Sequence, residues 1–217
     1  MIRKVLLVAA VVAVPAGLII GGGVASAKSP PINAKNDTAT CTTVSGSAKF
    51  SPAITSSEKA GTTKTTVKAT LTGCTSNAVG LRITNGKTTG SFTSTSHVAG
   101  TDGCTALAGT STETGSLTTK WKTSPKLSSG NSVTPVTQTY GTIASDGNAQ
   151  FEIPGPGGTP SGTGSFEGTN GGASDGSDAQ TTTSASSILA TCEGKKGLTG
   201  FNFTTPPAGQ PAAASFG

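Results

Sequence analysis

Charge, large side chains and titratable catalytic groups are all scarce in this chain. Only 12% of its 217 residues are charged and 4% aromatic, the latter seven Phe with one Tyr and one Trp. Its one histidine is His97. A lone imidazole with no acidic cluster near it in sequence lacks the neighbours that a general base or a metal site requires. None of the four cysteines forms a C-x-x-C pair, so zinc and thiol-redox chemistry have no motif here. Stretches with the 3.6-residue apolar period of an amphipathic helix are almost wholly missing, which argues against helical and α/β folds. The basic residues are spread at strand spacing among Thr and Ser. Without a cluster they leave no footprint for a nucleic-acid backbone or an acidic membrane.

What is present begins with a leader. Met1 to Ala27 carries Arg3 and Lys4, an apolar run from Val5 to Ile20, three glycines and the triplet Ala25-Ser26-Ala27, the layout of a secretory signal peptide. The expected mature chain starts at Lys28. An uncleaved anchor is the competing reading, because the apolar run approaches the roughly 20 residues that span a bilayer. Pro15, the glycines and the A-x-A site favour cleavage, and after it no membrane span is expected. The formal net charge of +5 then falls to +3, since Arg3 and Lys4 are the only charges in the leader. The expected location is secreted, extracellular or loosely wall-associated.

In an exported chain an even number of cysteines implies disulfides. Four cysteines allow three connectivities, of which Cys41 with Cys74 and Cys104 with Cys192 is the expected one. The first pair brackets a hairpin and the second ties the late chain to the middle. In the hairpin, Val67, Ala69 and Leu71 alternate with Thr66, Lys68, Thr70 and Thr72, a period of two that gives one buried and one wet face. Val44, Ala48 and Phe50 supply its first strand, which Pro52 is expected to end, and Thr55 to Thr63 is the turn. With so few large apolar groups the core is thin, and each staple should add roughly 4 kcal/mol by restricting the unfolded chain.

Further on, Val79–Thr84 and Thr88–Ser94 flank Asn85-Gly86, which reads as a hairpin turn. Leu117, Thr119 and Trp121 share a face opposite Lys120 and Lys122. Ser132–Ala144 and Gln150–Ile153 flank a second turn at Asp146-Gly147, while Ser184–Thr191 and Leu198–Thr204 read as closing strands with Phe201 and Phe203 inward. The fold class is all-β, an antiparallel β-sandwich of about eight to ten strands, with a closed β-barrel as runner-up. Residues 28–40 form a polar leader and 41–205 a single stapled domain. Within it, 154–180 are Gly-, Ser- and Pro-rich loops, and 206–217 are an Ala/Pro tail. Thr88–Ser96 (TTGSFTSTS) and Gly162–Asn170 (GTGSFEGTN) echo one another and suggest equivalent strands.

Cys41, G-S-A-K-F-S-P at Gly46–Pro52, V-K-A-T-L-T-G-C ending at Cys74, and K-W-K around Trp121 together resemble a group of small exported proteins of actinobacteria whose role is uncharacterised. The resemblance covers most of the mature chain. It implies export and an all-β fold, and carries no activity or site residues.

Motifs for catalysis fail on context. Gly172-Ala173-Ser174-Asp175-Gly176 matches G-x-S-x-G, yet no apolar strand leads in, no helix follows and His97 precedes it. Ser56 to Lys59 matches S-x-x-K without ordered partners downstream. Asp175 and Asp178 lack the repeat that makes calcium nonapeptides credible. Glu113, Glu152 and Glu167 would serve as paired glycosidase carboxylates only if they converged in space. The expectation is therefore a non-enzyme with no catalytic residue, cofactor or metal. It is a binding module acting through its hydroxyl-rich surface and loops on cell-envelope polysaccharide or protein. The alternative is a barrel carrying a small apolar ligand, which a deep apolar cavity around Trp121 would favour, and a secreted hydrolase ranks last.

Overall fold

The computed structural model describes residues 28–56, 61–97, 103–104, 107–143, 147–153, 162–167, 176–205 and 214–217. The leader, His97's side chain, Ser174 and most of the 154–180 loops lie outside them, as does Lys59.

Period-two sequence produces long strands. β1 (Ala39–Ile54), β2 (Gly61–Ser76), β3 (Arg82–His97) and β4 (Gly109–Ser124) each run 16 residues. The shorter β5 (Ser132–Ile143), β6 (Asn148–Ile153), β7 (Gly176–Ser184), β8 (Leu198–Thr204) and β9 (Ala214–Phe216) follow, with helix α1 (Ala185–Glu193) between β7 and β8. Every pairing among these strands is antiparallel. Each strand from β1 to β7 pairs with the next, and β8 pairs back onto β1. The all-β expectation holds, and the sheet closes as a ring of eight strands, the barrel form of it. β9 continues the place of β8 by pairing with Ala39–Cys41 of β1 and Gly176–Ser177 of β7.

Both disulfides join the expected partners. Cys41 and Cys74 are directly opposite in the β1–β2 ladder, 3.9 Å apart at Cα, and close a separation of 33 residues. Cys104 and Cys192 close 88 residues and tie the segment before β4 to α1.

Several local readings change. Asn85-Gly86 is no turn: β3 runs through it, with only a register shift between Ile83 and Asn85. The chain reverses instead at Asn77–Gly80, where Val79 is 95% exposed. The space a Gly86 side chain would take is filled by the Trp121 ring, 2.9 Å from where a Cβ would stand. This glycine serves a neighbour's indole. Of the Asp146-Gly147 turn, Asp146 lies outside the described residues, while Gly147 has a φ of 82° and β6 follows at once. Pro52 does not end β1. The ladder to β2 stops at Ser51, and the strand runs on to Ile54, which pairs with Leu198 of β8 after a register shift.

The expected strand Ser184–Thr191 is helical from Ala185 onward. Ser184 closes β7 and caps α1, its hydroxyl accepting from the Ser187 N–H, so Ala185, Ile188 and Cys192 fall on one buried face. The two echoing segments are not equivalent. Thr88–Ser96 lies inside β3, whereas Thr163 makes one bridge to Val133 and Phe166 takes a φ of 61°. The expected leader and tail are also partly structured. Ile32 bridges Leu127, Ala34 is fully buried, and Ala214 and Phe216 in β9 are core residues.

The ends of the barrel are closed differently. At one end Trp121 meets Phe166 and Phe216 edge-on, with ring centroids 5.1 and 4.9 Å apart. Its indole N–H donates to Ser132 Oγ at 2.8 Å, and that hydroxyl donates to the Ser165 carbonyl. At the other end α1 and the Cys104–Cys192 bridge build a separate small core with Ile54, Ile188 and Leu198.

Candidate functional site

The inward positions of this chain carry small side chains for a ring of eight strands. Ala48, Ala69, Gly141 and Ala179 face in where larger aliphatic groups would fill the centre. The result is an interior cavity of about 310 Å³. It lies between the Trp121 plug and the α1 end, and Trp121 is not among its lining residues.

The cavity has two unlike walls. β1, β6, β8 and β9 supply Val44, Phe50, Phe151, Phe201, Phe203 and other apolar groups. Phe151 stacks on Phe201 with centroids 4.6 Å apart, and Phe50 tilts against Phe201 at 5.5 Å. From β2 to β5 come the hydroxyls of Thr63, Thr65, Thr88, Ser94, Thr119 and Thr134, interleaved with the apolar Val67, Leu71, Phe92 and Leu117, so this wall is mixed. The hydroxyls are partly paired among themselves: Thr88 and Thr119 share a hydrogen bond of 2.8 Å, and Ser94 and Ser111 one of 3.2 Å.

Glu113 belongs to the second wall. It is 7% exposed, and it is the one charged side chain among the described residues lining the cavity. The β4–β5 register shifts between Thr112 and Gly115, yet the alternation of β4 runs unbroken through Leu117, Gly115 and Glu113, and this turns the carboxyl inward. There the Thr139 hydroxyl donates to Glu113 Oε1 at 3.2 Å.

The other sequence candidates are dispersed. Glu152 faces outward on β6, directly opposite Asp178 on β7. Both carboxyls titrate above their ordinary range: burial raises each, and the Asp178 charge raises Glu152 further. Glu167 accepts from the Gly164 N–H and pairs with Lys35 at 3.6 Å. Glu113, Glu152 and Glu167 thus occupy three separate environments and make no carboxylate pair. Ser56 is exposed beyond the end of β1. Among the described residues no group of three or more His, Cys, Asp or Glu is placed to hold a metal ion.

On the outside, Lys64, Lys68, Lys87, Lys120 and Lys122 are all exposed. Lys87 stands directly opposite Lys120. The only acid in β1–β4 is Glu113, which points inward, so this wall is uniformly basic. Sequence spacing spread these lysines, and strand pairing collects them. No described helix is long and apolar enough to cross a membrane. No family model, curated protein or solved structure matches this chain.

Proposed function

We propose that this is an exported, non-catalytic binding protein whose barrel holds a small apolar ligand. The observation behind this reading is the 310 Å³ cavity with its wall of stacked phenylalanines. It is about twice the roughly 150 Å³ engineered cavity that suffices for benzene, and lies at the small end of the ligand-pocket range. The leader and the two disulfides support export to an oxidising compartment. Titration with naphthalene, followed by calorimetry and by methyl shifts of Val67 and Leu117, tests the reading. Saturable binding is expected, and Ala179→Phe, which fills the cavity from β7, should abolish it. Absence of saturable binding would overturn the proposal.

A second reading rests on the basic outer wall, which fits an acidic cell-envelope polysaccharide. Retention on an immobilised acidic polysaccharide that falls with salt and with Lys87→Gln/Lys120→Gln supports it. Retention indifferent to both rejects it. The 154–180 loops, the other surface expected to act, lie mostly outside the described residues.

A further inference from the structure

We infer that the cavity takes an apolar molecule bearing one neutral oxygen, an alcohol or a ketone, with that oxygen held by the hydroxyls of Thr63 and Thr65 on β2. This rests on the ligand-binding reading of the same cavity and adds the chemistry of the head group. Most hydroxyls of the lining are already engaged. Thr88 pairs with Thr119, Ser94 pairs with Ser111, Thr139 donates to Glu113, and Thr134 is likewise engaged. Thr63 and Thr65 differ: they are only 6% and 9% exposed, both line the cavity, and neither hydroxyl makes a hydrogen bond to another described residue. A buried hydroxyl without a partner is costly, and one that opens onto a cavity is satisfied by what the cavity holds. Thr65 stands between Phe50 of β1 and Phe92 of β3 in the ladders. Those neighbours suit the body of an organic ligand better than a cluster of waters, each of which needs about two to four polar partners.

The orientation follows from the strand positions. Thr63 and Thr65 lie near the start of β2, beside the end of β1, where Ile54 belongs to the small core around α1. Farther along the same face come Val67 and Leu71, and Leu71 stands opposite Gly86, against which Trp121 packs. The oxygen therefore sits towards the stapled α1 end, and the body runs inward past Val67 to Leu71. Each hydroxyl both donates and accepts, so a ligand hydroxyl and a ligand carbonyl are both served. Two neutral hydroxyls offer no charge to offset the desolvation of an ionised head group, so a carboxylate binds less well than an alcohol.

The test uses a matched series on the intact chain: naphthalene, 2-naphthol and 2-naphthoate by calorimetry at pH 7. In a cavity with no partner for it, the naphthol hydroxyl would weaken binding about tenfold or more relative to naphthalene. With Thr63 and Thr65 as partners, 2-naphthol is expected within about threefold of naphthalene or tighter, and 2-naphthoate weakest. Replacing both residues, Thr63→Val with Thr65→Val, keeps a strand-forming side chain while deleting both hydroxyls, and should weaken 2-naphthol about tenfold with naphthalene unchanged or tighter. On the unaltered protein, nuclear Overhauser contacts should run from the ring hydrogens beside the naphthol oxygen to the Thr63 and Thr65 methyls, so the placement does not depend on the variant folding. Contacts to Leu71 in their place, 2-naphthol weaker than naphthalene by more than about threefold, or 2-naphthoate tighter than 2-naphthol would each overturn the head-group assignment and leave the apolar-ligand reading standing. If neither naphthalene nor 2-naphthol binds, both fall.

Discussion

Gly86 shows how a residue with a strong local signal is overruled by a distant neighbour. Asn-Gly favours a tight turn through backbone freedom, yet here the glycine is needed for what it omits, because the Trp121 ring occupies the side-chain space. Gly86→Val should therefore destabilise by about 1–3 kcal/mol through overpacking, read as a lower denaturation midpoint at unchanged slope. A turn glycine of ordinary kind would give no loss tied to the indole fluorescence. Glu113 stands in the sequence only as one of three scattered carboxylates, although the alternation that sets Leu117, Thr119 and Trp121 on one face reaches back through Gly115 to it. What sequence could not supply was the closure that turned this face into a cavity wall. The Glu152–Asp178 pair belongs to the same scale. Both carboxyls have raised folded-state values, so each favours the folded state when protonated. Their contribution is full at acid pH below the ordinary carboxylate range and is lost as pH rises through the raised values. Asp178→Asn should add about 0.2–1 kcal/mol at pH 7, towards the low end because the pair is partly exposed, and nothing at pH 3. A carbon-detected titration of Glu152 in that variant should move down only part of the way, since burial is its larger cause.

At the scale of elements, period-two patterning located β2, β4, β5 and β8 well, because their inward positions are apolar or hydroxyl-bearing and their outward ones polar. It failed for α1. In Ser184–Thr191 only Ile188 and Leu189 are large apolar groups, too little contrast to separate a short helix from a strand, and the deciding group is a single cap, Ser184. It also stopped β1 too early at Pro52. The missing N–H ends one ladder, while the strand's other neighbour, β8, carries it to Ile54. The element with most to lose is α1, whose hold on the barrel includes a covalent bond. Replacing Cys104 and Cys192 together by Ala should cost up to about 4 kcal/mol and raise amide exchange in α1 and at Leu198 before the rest of the barrel. Uniform exchange throughout the molecule would show that the bridge does not act locally. Replacing Cys41 and Cys74 should cost a similar amount without a change confined to α1.

For the molecule as a whole, strand number and antiparallel order were readable and the closure was not. Closure depends on which strand meets β1, and nothing in Leu198–Thr204 or Ala214–Phe216 names its partner. The pairing has a cost in time. Ser45 meets Thr204 and Ala39 meets Phe216, so the first strand waits for nearly the last residues before its ladders are complete. Such a molecule has a high contact order and should close slowly, well after its β1–β2 hairpin forms. Were the chain exported as proposed, the β1–β2 hairpin could cross a membrane before its barrel exists, and arrival of β8 and β9 beside β1 would be the step that closes it.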